Sequence, residues 1–446
     1  MTGFSIQVFS NEYLPPGGTD VHAVATVRSD GSVDAGSAPS EAIEVLVLDS
    51  SGSMQTDGRI HEARRALAAA VNLIRDGVWF SVVAGTEVAR LVYPSPQTPG
   101  YHSGAVRADA NTRAQALEAI RHVQANGGTA MSTWLDAAAG IVNGFPGAIR
   151  HVLFVTDGKN ESERMSSLEA ALQRYQGFFE VDCRGVGANW SVNELRMIAH
   201  AFLGTVDIIP EPQAMAEEFA KIMDSAMGKA VASVSLRVWV PAHAELLFVK
   251  QVSPTIEDLT DKAMAGPNPL TRDFPTGAWG SEERDYHVAV RVKAANVGEE
   301  MLAARVSLVI DGNPISQGMV KAIWSPDEQL TARINPEVAH YTGQQELAEA
   351  IAEGLAARQA GNESEATTKL GRAVQLAAAA GNDATTRLLA NVVEIDDAQA
   401  GTVRLKRNAE AVDVMALDTR STKTTRVRPA GDGAAGEGAG GGGAAS

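Results

Sequence analysis

The chain has 446 residues, 45% of them hydrophobic, one cysteine and a formal net charge of −16. That length exceeds what one hydrophobic core usually supports, so two or three domains are expected. The acidic balance excludes a nucleic-acid binder built on a general basic surface, and the lone Cys183 excludes a disulfide framework or a cysteine-rich zinc site while fitting a reducing compartment.

Met1 to Asn11 lacks a charged region followed by a long apolar stretch, and no window approaches the roughly 18–20 apolar residues that span a bilayer. A cytoplasmic protein without membrane contact is expected. Phe4 to Phe9 and Val21 to Arg28 are β-prone runs, and similar runs return after residue 228, at 233–240, 245–249, 286–293 and 304–310, separated by Pro, Gly and Asp. They predict an antiparallel β-sandwich made of residues 1–41 and 229–330.

Between these flanks, over 42–228, short apolar runs alternate with amphipathic stretches. Strands are predicted at 45–48, 78–84, 88–93, 151–156, 179–185 and 206–209, and helices at 59–75, 112–123, 132–143, 162–175, 192–201 and 212–227. This pattern predicts an α/β domain with a doubly wound, mainly parallel sheet, inserted in the sandwich. Cys183 sits in an apolar run and reads as a buried structural thiol.

Over 335–395 the chain turns Ala- and Leu-rich. Leu347, Ile351 and Leu355 share one helical face and Leu370, Val374 and Ala377 another, with breaks at Gly361-Asn362 and Gly381-Asn382. A helical hairpin or three-helix unit is predicted, either a packing appendage or a peptide groove.

From 396 to 446 a flexible tail is expected. Thr402 to Arg428 carries seven basic residues against three acidic ones, and Gly431 to Ser446 is almost entirely Gly and Ala, a composition that cannot offset its ordering entropy. Aromatic residues are absent from the tail, which argues against stacking on nucleic acid.

Chemistry concentrates in the α/β segment. The apolar strand Val45 to Leu48 runs straight into Asp49-Ser50-Ser51-Gly52-Ser53, a DxSxS pattern. Asp157 follows the strand 152–156, and Thr129 ends the loop Asn126-Gly127-Gly128 just before a helix. In an open parallel sheet, ligands gather beyond the carboxyl ends of strands, so all five oxygen-bearing side chains can meet on one edge.

Asp49, Ser51, Ser53, Thr129 and Asp157, in this order and spacing, resemble the metal-ion-dependent adhesion site of the von Willebrand factor A family, a resemblance covering residues 43–227. It implies that Ser51, Ser53 and Thr129 coordinate a cation directly and that Asp49 and Asp157 do so directly or through water. Mg2+ or Mn2+ suits such a hard oxygen set. Neutral hydroxyls leave much of the ion's charge uncompensated, so a partner's Asp or Glu is the expected sixth ligand.

Enzymatic readings lack their motifs. No GxSxG surrounds Ser51, no GxxxxGK[ST] loop occurs, Gly185-Val186-Gly187 lacks the third glycine of a dinucleotide fingerprint, and the histidines show no HExxH pairing. His61 and His151 read as residues that cap or flank helices and strands. The chain is therefore expected to bind partners rather than to catalyse a reaction.

The tail segment 415–428 resembles the phosphoacceptor tails of bacterial A-domain proteins associated with Ser/Thr kinases and forkhead-associated domains. By that resemblance Thr422, Thr424 and Thr425 are candidate phosphorylation sites, and the reader of Thr424 would weigh Val427, three residues on. The same segment also reads as a solvated, unspecific tail. An adaptor in Ser/Thr phosphorylation signalling is the first functional expectation, and an accessory of an AAA-type ATPase in protein or cofactor assembly the second.

Overall fold

The computed structural model describes residues 3–32 and 41–426. Val427 and the Gly/Ala-rich stretch 431–446 lie outside these residues.

Two strands open the chain, β1 (Phe4–Ser10) and β2 (Asp20–Asp30). The α/β unit follows. It comprises β3 (Ala42–Asp49), α1 (Arg59–Leu73), β4 (Trp79–Gly85), β5 (Arg90–Tyr93), α2 (Ala110–Arg121), α3 (Met131–Val142), β6 (Ile149–Thr156), α4 (Met165–Tyr175), β7 (Glu180–Val186), α5 (Val192–Ala201), β8 (Val206–Ile209) and α6 (Met215–Met227). Its sheet runs β8-β7-β6-β3-β4-β5, parallel except for the last pair, with the two-residue strand Val106–Arg107 beside β4.

Strand β3 is buried along nearly its whole length, as a central parallel strand covered on both faces must be. Its side chains alternate between two cores. Ile43, Val45 and Val47 join Trp134, Leu168 and Ile198 beneath α3, α4 and α5, while Leu46 and Leu48 join Ala66, Ile120 and Phe219 beneath α1, α2 and α6. Cys183 lies in β7, fully buried, and burial pushes its thiol up, away from reactivity.

After α6 come β9 (Ser235–Trp239), β10 (Glu245–Ser253), β11 (Thr271–Pro275), β12 (Ser281–Arg291), β13 (Glu300–Ile310) and β14 (Asn313–Trp324). One sheet has the order β1-β2-β12-β10, and the other β11-β9-β13-β14, each with short strands at its margins. The N-terminal strand β2 pairs with β12 from Asp20↔Arg291 to Asp30↔Ser281. The α/β unit is therefore an insertion between two strands of one sandwich, whose core holds Val21, Tyr286, Leu236, Val306, Trp279 and Trp324.

Helices α7 (Pro336–Gln359), α8 (Glu363–Ala379) and α9 (Asp383–Val392) form the third unit. Gly361 and Gly381 take φ of +76° and +61°, the left-handed geometry that ends a helix. Asn362 and Asn382 then cap the next helices, accepting from the amides of Glu365 and Thr385.

The flexible tail expected from residue 396 is corrected by the structure as far as Arg426. Strands β15 (Val393–Asp397) and β16 (Thr402–Leu405) make a hairpin, and α10 (Ala411–Arg420) packs back on the molecule. Val403 and Leu417 complete the core of the helical unit with Leu347, Ile351, Leu389 and Val392, and Ala416 reaches the α/β core. Several of the charges in this segment have ion-pair partners. Arg420 and Lys423 both bind Asp207, Arg404 binds Asp396, and Arg426 binds Glu283 and Asp285.

The segment after α10 lies along the sandwich. The Ile256 amide donates to Thr422 O at 2.8 Å and the Thr424 amide to Pro254 O at 3.0 Å. The Thr424 hydroxyl donates to Val252 O at 2.6 Å, while Thr425 Oγ1 accepts from Gln344 on α7. Of the three candidate phosphoacceptors, Thr425 is exposed and Thr422 and Thr424 are half-buried.

Candidate metal centre

Strands β3 and β6 are neighbours in the middle of the sheet, and from them the chain winds outward in opposite directions. Their carboxyl ends border the crevice where this fold class binds ligands. Asp49 ends β3, and Asp157 directly follows β6.

Ser51 precedes a 3-10 helix, Gly52–Gly58, and the ordinary use of a serine there is to cap it. Its hydroxyl makes no cap bond and lies 2.9 Å from Ser53 Oγ instead. Ser53 donates to Asp157 Oδ1 at 2.6 Å. Asp49 Oδ1 accepts from the Ser51 amide at 2.7 Å, and Asp49 Oδ2 from the Thr156 hydroxyl at 2.6 Å. A methyl built on Gly158 would sit 3.5 Å from both Ser53 Oγ and Thr129 Oγ1 and 3.8 Å from Asp49 Oδ2. That single point locates three loops around one small space, so the structure brings all five predicted residues together.

Thr129 is positioned by residues the motif does not contain. Its amide donates to Ser162 Oγ, and the Ser162 amide donates to Thr129 O, both at 2.9 Å. Helix α3 has Ala130 at its N-cap, which cannot bond its first amides. Asn160 Oδ1 accepts from the Met131 amide at 2.8 Å and Glu163 Oε1 from the Ser132 amide at 2.9 Å, so the loop after β6 caps the helix that begins just after Thr129. Gly52 N to Gly127 O, at 2.9 Å, joins the first two loops. Ser162 and Glu163 read in sequence as the start of a helix, and only their distance from Asp157 hinted at a link to the site.

Asp49 and Asp157 are fully buried, Ser51 and Thr129 nearly so, and Ser53 opens to the cleft with Lys159, Glu161 and Asn189 on its rim. Burial pushes Asp49 up to about 6 against the opposing bonds from Ser51 and Thr156, and the neighbouring Asp157 charge adds to the rise. Those hydrogen-bond donors to Asp49 are neutral, so a divalent ion would bring positive charge against this carboxylate. The three atoms nearest the methyl built on Gly158, Ser53 Oγ, Thr129 Oγ1 and Asp49 Oδ2, are all oxygens, which suits a hard cation. Among the described residues no group of three or more His, Cys, Asp or Glu gathers as a metal site, so a metal would depend on the hydroxyls.

His151 neither caps nor flanks its strand. It lies inside β6 with its imidazole between Glu44 and Asp182, at the opposite end of the sheet's strands from the serines.

Residues 44–208 match the von Willebrand factor type A domain, and residues 375–421 match the von Willebrand factor type A C-terminal domain. The solved von Willebrand factor type A protein from Catenulispora acidiphila is 44% identical, with a TM-score of 0.89 over 96% of this chain and 98% of that one. The chain belongs to the von Willebrand factor type A family. The ArnB paralog VWA2 from Sulfolobus acidocaldarius, at 13% identity and TM-score 0.52 over 94% of this chain and 99% of that one, shares the fold. No curated protein matches. The C-terminal match spans α10, so in this von Willebrand factor A protein the basic segment up to Ser421 falls within a family domain. No helix among the described residues is long and apolar enough to cross a membrane.

Proposed function

We propose that this von Willebrand factor A protein is a non-enzymatic, cytoplasmic adaptor that grips an acidic side chain of a partner protein through Mg2+ or Mn2+. The observation that carries this reading is the convergence of Ser51, Ser53, Thr129, Asp49 and Asp157 on one cleft, with the Ser51 hydroxyl withheld from helix capping. Ser51, Ser53 and Thr129 would hold the ion, Asp49 and Asp157 would balance it directly or through water, and Ser162, Asn160 and Glu163 keep Thr129 in place. When bound, such an ion offers a carboxylate a coordination position within a largely neutral first shell.

Calorimetric titration with Mg2+ tests this. Wild type is expected to bind one ion, and Ser51→Ala and Asp157→Asn to bind at least about tenfold more weakly, as when a metal loses a ligand or its support, with unchanged circular dichroism. Folded wild type that takes up no Mg2+ or Mn2+ would remove the reading.

The signalling role rests on the arm after α10. Thr425 is exposed beside Lys423 and Arg426, whereas Thr424 gives its hydroxyl to Val252 and must leave the sandwich to meet a kinase. Incubation with a bacterial Ser/Thr kinase is therefore expected to label Thr425 first, with Thr422 and Thr424 following only where the arm is released. A forkhead-associated domain would read the product through its arginines. Intact-mass measurement of the protein from its native cells decides the point: a peptide that never carries phosphate leaves the binding module without this role.

A further inference from the structure

The metal centre contains a cation of its own. Arg59 is the first residue of α1 and directly follows the 3-10 helix Gly52–Gly58, with its amide bonded to Met54 O and Thr56 O. Its Nη1 donates to Asp157 Oδ2 at 2.6 Å, while Ser53 holds Asp157 Oδ1. The Arg59 side chain is 12% exposed and that of Asp157 0%, so the pair is shielded from solvent. On its far side the guanidinium approaches Gly187, where a methyl would lie 3.9 Å from Nη2. The arginine is thus packed into the site's wall.

This changes the electrostatics of the site. Asp49 and Asp157 offer two negative charges to an incoming divalent ion, and Arg59 already offsets one. At short range and low effective dielectric, a fixed guanidinium near a dication is strongly repulsive. Resting on the metal reading above, we propose that Arg59 is a resident counter-ion of the centre. It holds Asp157 in place when no metal is bound and competes with the divalent ion for that carboxylate. The filled site then carries an excess of positive charge that a partner's carboxylate neutralises, so metal and acidic partner bind best together. Arg59 sets this coupling without ligating the metal.

The test is Mg2+ titration of the full chain as wild type, Arg59→Gln and Arg59→Lys, each followed by calorimetry and by melting in EDTA and in Mg2+. Arg59→Gln, which removes the charge and keeps a hydrogen-bond donor, is expected to bind Mg2+ on the order of tenfold or more tightly than wild type. Its melting temperature should fall in EDTA, where Asp157 loses its partner, and rise further on Mg2+ addition than that of wild type. Arg59→Lys keeps the charge on a shorter arm and should lie between the two. If Arg59→Gln fails to fold, a tighter Arg59→Lys still supports the proposal. Wild type that binds Mg2+ while the folded variants bind equally or more weakly overturns the counter-ion role alone. Folded wild type and variants that all ignore Mg2+ overturn the metal reading and this inference with it.

Discussion

Replacing His151 by alanine is expected to lower the free energy of unfolding by about 3 kcal/mol at neutral pH, the scale for breaking a buried ion pair from one side. The imidazole Nδ1 lies 2.7 and 2.9 Å from the Glu44 oxygens, and Nε2 lies 3.1 Å from Asp182 Oδ2. Glu44 is fully buried on the central strand, and burial pushes its carboxyl up, so it depends on His151 to stay ionised. Burial also opposes charge on His151, but Glu44 and then Asp182 outweigh it and hold the ring protonated well above its ordinary 6.5. Asp182, despite its burial, is held below the usual carboxylate range by the same ring.

The sign of the pH dependence follows from the raised histidine. Its contribution is complete below about 6.5 and fades as the pH climbs through its folded value, so the gap between wild type and variant should narrow on the alkaline side. The share that depends on Asp182 is present above about 3.8 and is lost in acid. Urea unfolding at pH 5, 7 and 9 measures both. A gap under about 1 kcal/mol at pH 7, or one that widens toward pH 9, would show that the triad is solvated and contributes little.

Leu417→Ala should cost about 2–5 kcal/mol, the range for a large-to-small change in a packed core. Leu417 is fully buried in the core that α7, α8 and α9 share, and α10 also packs on α5 and β8. Loosening α10 frees the segment beyond it, which Asp207, Pro254 and Val252 hold. Trypsin is accordingly expected to cut after Lys423 and Arg426 several times faster in the variant than in wild type. A solvated tail would give neither effect, so unchanged stability together with unchanged cleavage would restore the flexible reading.

The α/β unit and its site were legible because each rests on local signals. A buried parallel strand writes itself as an apolar run, and the residue at its carboxyl end is fixed by chain order, so Asp49, Ser51, Ser53 and Asp157 could be placed without coordinates. The sandwich was legible as strands on either side of the insert, though not as the pairing of β2 with β12, because strand partners are chosen across the gap. The helix breaks at Gly361 and Gly381 announced themselves through the one residue that readily accepts positive φ.

What the sequence could not disclose are interactions between groups far apart along the chain. Val403 and Leu417 lie in a segment rich in charge, and nothing local says that they fill a core begun at Leu347. Lys423 and Arg420 read as solvated until Asp207, more than 200 residues earlier, is set between them. His151, Asn160, Ser162, Glu163 and Arg59 carry no motif, and their roles arise from the amides and carboxylates that folding places against them. Sequence alone determined the chemistry of the donor oxygens and the strand ends that present them. The tertiary structure decided the charge around those oxygens, because burial and electrostatics depend on distance in space, which chain order does not encode.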